Sequence, residues 1–408
     1  MNLLLPDAIP ADESFWTEVW PRFLQRAPLP PFADESLVFL DAFSKKILLD
    51  PALRREGAFA ALAHWARRAH LEEYRCHGAA TARGLVLHLA PANVDTLFAY
   101  SWFTALLCGN LNVVRVSRRS LATIAPLLAT LRTLLAEPRF AAVRERTLLV
   151  TYEHDDTLTA RFSGAAHARL IWGGDETIRT IRALPLPATA IEIAFADRFS
   201  LAAFCAAHVA ALDSPALTRL AEALFNDAFQ FGQKACASPR AVVFTGEPDV
   251  CRRASARFWP VLTDVVRQRA AGFGEADGIA RLASAMAIAA LVPGSRFTSR
   301  PADGAPPLVL LLPEWIPAVR ALHDGAGLFV EFALPQLEPL APLLTPRDQT
   351  LVAAGYSHGE ISAFRAALPS RAVDRIVAPG TALDFDPVAW DGHNLLRQLT
   401  REISLPSL

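Results

Sequence analysis

Cys236 stands where a thiol nucleophile could work. It lies in the run Phe225-Asn226-Asp227-Ala228-Phe229-Gln230-Phe231-Gly232-Gln233-Lys234-Ala235-Cys236-Ala237-Ser238-Pro239-Arg240. The spacing before it predicts a helix, and residues 240–246 read as a strand. Small neighbours, Ala235, Ala237 and Ser238, leave room for an incoming carbon. Such a turn can also aim the Cys236 backbone N–H at that carbon's oxygen, which is what covalent acyl transfer requires. Lys234 supplies a nearby cation that would favour the reactive thiolate. The local residues also fit a buried, inert thiol, the commoner state of an unpaired cysteine.

Six other places carry polar groups at useful positions. Asn93 follows a strand-like run, where its amide can donate to a developing oxyanion or cap the next helix. Arg115, Ser117, Arg118 and Arg119 close the next strand. Dinucleotide-binding sheets hold an adenosine ribose near this place. An acid there suits its hydroxyls, and basic residues suit a 2′-phosphate. No acid occurs in residues 110–120, so the spacing favours NADPH over NADH; a solvated basic turn is the alternative. Gly173-Gly174 is a turn that lets backbone approach a cofactor, though it is not a GxGxxG fingerprint, and Asp175 and Glu176 would repel a pyrophosphate placed directly on it. Glu192 alternates with Ile191 and Ile193, so its carboxylate can activate water or a thiol, or be an ion-paired strand residue. His88 and His393 are further possible bases.

The elements that must position these groups alternate. Strands are expected at residues 84–90, 111–117, 147–152, 168–172, 188–194, 240–245, 308–312, 328–332 and 373–377. Helices are expected near 15–24, 36–48, 58–69, 94–107, 121–135, 175–184, 201–211, 216–231, 249–271, 279–291 and 358–368. Residues 293–307, rich in Pro, Gly and Ser, read as a surface loop. Strands alternating with helices indicate an α/β fold built on parallel sheets.

Composition removes several function classes. The 408 residues allow two or three domains, and 52% hydrophobic with 20% charged residues supports a large core. A net charge of −1 gives no electrostatic case for nucleic acid or an anionic membrane. The longest apolar stretch, residues 97–108, is too short to span a bilayer, so no membrane span is expected. The first residues lack the basic start and apolar run of a secretion signal. Five scattered cysteines (Cys76, Cys108, Cys205, Cys236, Cys251) with no CxxC pair argue against a disulfide framework and a structural zinc site, so no metal is expected and a cytoplasmic setting fits.

Four stretches, in order, resemble the aldehyde dehydrogenase superfamily and within it the LuxC-type fatty acyl-CoA reductases. They are HLAPANVDTLFAYSWFTALLCGNLNVVRVSRRS (88–120), LIWGGDETI (170–178), FNDAFQFGQKACASPR (225–240) and VDRIVAPGTALDFDPVAWDGHNLL (373–396). The resemblance implies an aldehyde dehydrogenase-like fold, with a Rossmann-like cofactor domain and a catalytic α/β domain. The expected divisions are an N-terminal helical segment (1–75), an NADP-binding domain (76–190), a catalytic domain (191–370) and a C-terminal segment (371–408) returning to the cofactor domain or an oligomer interface. It implies that Cys236 is acylated, that Asn93 and the Cys236 N–H form the oxyanion hole, and that Glu192 takes the general base's place. It further implies a homo-oligomer and acyl-activating or acyl-transferring partner enzymes.

The expected reaction is therefore NADPH-dependent reduction of an acyl thioester, from CoA or a carrier protein, to an aldehyde through an acyl-cysteine. Two rivals remain: an aldehyde dehydrogenase that oxidises an aldehyde to acid or acyl-CoA, and a non-catalytic subunit that presents an acyl chain. Glu192 is essential only to hydrolytic oxidation, because thioester reduction needs no activated water.

Overall fold

The structure, a computed structural model, describes residues 1–75, 81–91, 94–269, 273–299, 306–369 and 371–404. The chain divides into two compact units. The first comprises Met1–Asp197 and Phe385–Leu408, the second Arg198–Asp384.

The first unit is built on seven strands: β1 (Asn2–Leu5), β2 (Ile9–Pro10), β3 (Leu85–Leu89), β4 (Leu111–Arg115), β5 (Thr147–Thr151), β6 (Ala168–Trp172) and β7 (Ile191–Phe195). Their order is β2-β1-β5-β4-β3-β6-β7. Strands β3 to β7 run parallel, and β1 joins β5 antiparallel. The winding reverses beside β3, so a switch point opens between the carboxyl ends of β3 and β6, where such sheets bind ligands.

Continuous apolar sequence makes these strands because both faces are covered. Leu85, Leu87 and Leu89 of β3 pack with Phe15, Trp20, Phe23 and Phe162. Val86 faces the opposite core, with helices α1 (Asp34–Leu49), α2 (Gly57–Trp65), α3 (Leu97–Leu107) and α4 (Leu121–Ala136). Helix α5 (Asp175–Arg182) follows β6. The N-terminal segment is not helical throughout: Leu3 and Leu5 alternate into the core, and this period-two pattern makes β1. A short pairing of Thr81–Ala82 with Thr400–Arg401 fastens the C-terminal segment to this unit.

The second unit holds another seven strands: β8 (Phe199–Cys205), β9 (Pro239–Thr245), β10 (Arg296–Ser299), β11 (Leu308–Leu311), β12 (Leu328–Leu334), β13 (Asp348–Ala354) and β14 (Arg375–Val377), ordered β10-β11-β12-β9-β8-β13-β14. All pairings are parallel except β10 with β11. Helices α6 (Ser214–Phe229) and α7 (Pro248–Gln268) cover one face, α8 (Glu275–Leu291) and α9 (His358–Ala367) the other.

Three expectations fail here for physical reasons. Residues 201–205 are a strand rather than the start of a helix. Leu201 and Ala203 pack into one core while Ala202 and Phe204 pack into the other, and burial between two neighbouring strands overrides the helix propensity of alanine. Strand β13 was not expected, and it lies inside the sheet between β8 and β14. Part of the expected 293–307 loop is the edge strand β10. The described units nevertheless establish the α/β, parallel-sheet class.

Candidate active site

Helix α6 leads into the coil that carries Cys236. Its N-terminus is fixed by Asp213, whose carboxylate accepts the Ala216 amide at 2.8 Å, with Pro215 in the first turn. Its last turn ends before Gly232 (φ +59°) and Gln233 (φ +62°), two successive left-handed residues that break the helix. Short turns follow, with Gly232 N–H to Phe229 O, Lys234 N–H to Phe231 O and Ser238 N–H to Ala235 O. Cys236 lies in this coil, immediately before β9.

The coil is fastened at several points. Ser200 Oγ at the start of β8 donates to the Cys236 carbonyl at 2.6 Å. The Ala326 amide donates to Gly232 O at 3.0 Å, and Arg240 Nε to Gln233 O at 3.3 Å. Gln233, fully buried, spans the coil with both ends of its side-chain amide. Cys236 is partly exposed, flanked by buried Ala235, Ala237 and Ser238.

The other described cysteines differ. Cys108 and Cys251 are buried, and burial pushes both thiols up, away from the reactive thiolate. Cys205 is partly exposed but closes β8. Cys76 lies outside the described residues. Lys234 ion-pairs with Asp277 at 3.1 Å, which offsets part of the cation expected to favour the thiolate.

The first unit places Arg115, Ser117, Arg118, Gly173 and Gly174 at the carboxyl ends of β4 and β6. A cleft of about 250 Å3 opens there, lined by Ala90, Arg115, Tyr152, Glu153, Trp172 and Thr177 among others. The Arg115 guanidinium donates to Tyr152 O at 3.2 Å and lies 5.5 Å from the centre of the Tyr152 ring. It has no carboxylate partner among the described residues. Arg118 pairs with Glu153 at 2.9 Å, and Ser117 Oγ accepts the Arg119 amide. Trp172 stacks on Phe195 at 3.7 Å and the Gly173 N–H reaches Phe195 O, so the glycine turn is held against β7. Nothing stands within 4 Å of where a Gly174 Cβ would lie, which leaves the start of α5 open to a ligand. Glu176 in its first turn is offset by Arg179 at 2.6 Å.

Glu192 is not among them. It pairs in register with Arg169, near the amino end of β6, four residues or roughly 13 Å along the strand from Gly173. Its Oε2 accepts from Arg169 Nε at 3.0 Å and its Oε1 from Arg182 Nε at 2.7 Å, so both oxygens are engaged. His88 is a satisfied core residue, bonded to Ser101 Oγ and Asn112 Oδ1, and burial pulls its pKa down to about 4. His393 contacts Gln398 Nε2 at 3.2 Å. Asn93 lies outside the described residues. Among the described residues no cluster of His, Cys, Asp or Glu could hold a metal, and no single helix is long and apolar enough to cross a membrane.

Two contributors escape a reading by motif. Glu153 lies two residues past the end of the strand beside the one that carries Arg115, and reading the residues just after every strand end would have found it. Gln233 acts through a left-handed backbone and partners that lie near in space but far in sequence, for which no local signal exists.

The fold is that of the aldehyde dehydrogenases. A lactaldehyde dehydrogenase superposes with a TM-score of 0.65 at 16% identity, covering 93% of this chain and 87% of that one. A 3,6-anhydro-L-galactose dehydrogenase in complex with NAP gives 0.61 at 12%, covering 91% and 84%. Aldehyde dehydrogenase 21 from Physcomitrella patens, in complex with the reaction product succinate, gives 0.64 at 10%, covering 92% and 84%. No curated protein matches by sequence. A model of the acyl-CoA reductase (LuxC) family matches residues 37–255, more than half of the 408 and a span that includes the arginine turn, the glycine turn and Cys236. With the cysteine coil and the parallel strands β3 to β7 both inside that match, the chain belongs to the LuxC family of acyl-CoA reductases.

Proposed function

We propose that the protein reduces an acyl thioester to an aldehyde, with Cys236 as the covalent nucleophile and NADPH as reductant. The observation that carries this reading is the partly exposed Cys236 in a multiply fastened coil, inside the span that matches the family.

The Cys236 thiolate attacks the thioester carbonyl and forms a new C–S bond. The tetrahedral oxyanion is held by the Cys236 N–H and by Asn93. Its collapse breaks the donor's C–S bond, and the departing thiolate takes the proton that Cys236 gave up. NADPH, when bound, supplies the hydride that reduces the acyl-cysteine. The thiohemiacetal oxyanion then expels the Cys236 thiolate and leaves the aldehyde.

The first unit's residues fit such a cofactor. Arg115 offers a cation without a carboxylate partner among the described residues at the end of β4, and the open Gly174 position lets a phosphate approach the backbone. Small apolar neighbours around Cys236 favour exclusion of water, which would otherwise hydrolyse the acyl-enzyme. Glu192, with both oxygens engaged, supports a structural role and so favours thioester reduction over hydrolytic aldehyde oxidation. The reading includes a reducing cytoplasm, a homo-oligomer, and an acyl donor that is CoA, a carrier protein or an acyl-transferring partner enzyme.

Intact-mass analysis after exposure to a panel of acyl thioesters tests it. One acyl adduct on Cys236, discharged as aldehyde on addition of NADPH, is expected. Absence of any adduct, with no dinucleotide binding, would instead favour a subunit that presents acyl chains without redox chemistry.

A further inference from the structure

We propose that Glu153 sets the enzyme's choice between NADPH and NADH, and that the enzyme accepts both. This rests on the reading of the first unit as a nicotinamide dinucleotide site.

Arg115 and Arg118, at and just after the end of β4, are not equivalent. Arg115 is partly buried, is oriented by Tyr152, and has no carboxylate partner among the described residues. Arg118 is half exposed, and its NH1 lies 2.9 Å from Glu153 Oε1. Glu153 follows β5, the strand hydrogen-bonded beside β4, and lines the same cleft as Arg115. A carboxylate is thus brought to the place where the spacing of β4 alone leaves only cations.

Adenosine ribose hydroxyls donate hydrogen bonds to a carboxylate, whereas a 2′-phosphate is repelled by it and needs a cation. NADPH must therefore draw Arg118 away from Glu153 or bind through Arg115 alone beside an opposing negative charge. NADH meets neither cost. Arg115 pulls the preference one way and Glu153 the other. Both members of the Arg118–Glu153 pair are largely exposed, so each contributes a modest factor, about fivefold in affinity ratio.

The test is fluorescence titration of the full-length protein with NADPH and with NADH, which needs no acyl substrate. The wild type is expected to bind both. Glu153→Gln frees Arg118 and removes the opposing charge, so the Kd ratio should move toward NADPH by about fivefold. Arg118→Gln leaves Glu153 uncompensated and should move the ratio toward NADH. Both positions are exposed, and a ratio cancels any general loss of binding. Ratios unmoved by Glu153→Gln, or moved toward NADH, overturn the inference and leave the functional reading intact. A wild-type protein that binds neither dinucleotide overturns the functional reading, and the inference falls with it.

Discussion

Gln233 Oε1 accepts the backbone N–H of Gly327 at 2.9 Å, while Gln233 Nε2 donates to the carbonyl of Pro239 at 2.9 Å. One buried side chain thus joins the coil before Cys236 to the starts of β9 and β12. Its seat is unusual: Gly325, Ala326 and Gly327 all have positive φ (+79°, +58° and +83°). A Cβ on Gly325 would stand 2.7 Å from Gln233 O, and one on Gly327 2.4 Å from the Pro306 Cβ, so only glycine lets the loop approach this closely. Gln233→Leu keeps the volume but strands a buried donor and a buried acceptor, at about 1–3 kcal/mol each. Expected is a clear fall in denaturant midpoint and a ten- to hundredfold slower acylation of Cys236, because sub-ångström placement governs attack. Gly325→Ala should act in the same direction. Single-turnover acylation at the wild-type rate in both variants would show that the clamp does not position the thiol.

The first unit's cleft and the second unit's cysteine coil differed in how plainly they could be read. Strands β3, β4, β6 and β9 are continuous apolar runs bounded by turn residues, so their period and length identify them, and the groups at their ends follow. Strand β8 was misread because Leu201–Ala206 is alanine-rich and short of β-branched residues; only its place between β9 and β13 makes it a strand. The same limit hid Glu153 and Gln233. Their roles depend on Arg118 and Gly327, which are brought close by sheet order and by a left-handed loop rather than by spacing along the chain. Glu192 was correctly placed on a strand by its alternation with Ile191 and Ile193, but its two arginine partners come from β6 and α5 and carry no period that points to them.

Two partly exposed cysteines among the described residues, Cys205 and Cys236, allow an internal control on the nucleophile. Cys236→Ala should abolish the acyl adduct and aldehyde formation, leaving dinucleotide binding at wild-type strength, since the groups proposed to hold the cofactor lie in the first unit. Cys205→Ala should retain the adduct and most of the turnover. Intact-mass spectra of both variants after acyl thioester treatment decide the assignment. An adduct that persists in Cys236→Ala and disappears in Cys205→Ala would move the chemistry to the other thiol.

Glu192 separates stability from catalysis. Arg169 is only 2% exposed, and its charge is balanced by Glu192. Removing one partner of a buried ion pair leaves the other uncompensated, a loss of about 3 kcal/mol or more. Glu192→Gln should therefore unfold at a markedly lower denaturant concentration, yet the folded variant should reduce acyl thioester at a rate within severalfold of the wild type. A hundredfold loss of turnover with unchanged stability would restore Glu192 as a base acting on water or thiol.

Asp227, on α6 nine residues before Cys236, links that helix to the chain's return path and gives stability a distinctive pH dependence. Its buried carboxylate accepts the amides of Gly380 at 2.7 Å and Ala382 at 2.8 Å. Burial raises its pKa from 3.8 to about 6, against the lowering effect of those two hydrogen bonds. A raised pKa means the folded state holds the proton more tightly than the unfolded chain. The contribution is therefore fully present below about pH 3.8 and is lost as pH rises through about 6. The gap of about two pH units corresponds to on the order of 3 kcal/mol. His88 and His323 slope the other way. Burial lowers both, to about 4 and about 3, so their contribution is present above pH 6.5 and is lost as pH falls. The wild-type curve alone would mix these effects, and the comparison must be with Asp227→Asn, which cannot ionise. The stability of the wild type minus that of Asp227→Asn, from urea titrations, should decline between pH 4 and about 6.5 and then level off. A difference that stays constant across that range would mean Asp227 does not titrate in its buried seat, and that its two amides are held by a permanent carboxylate.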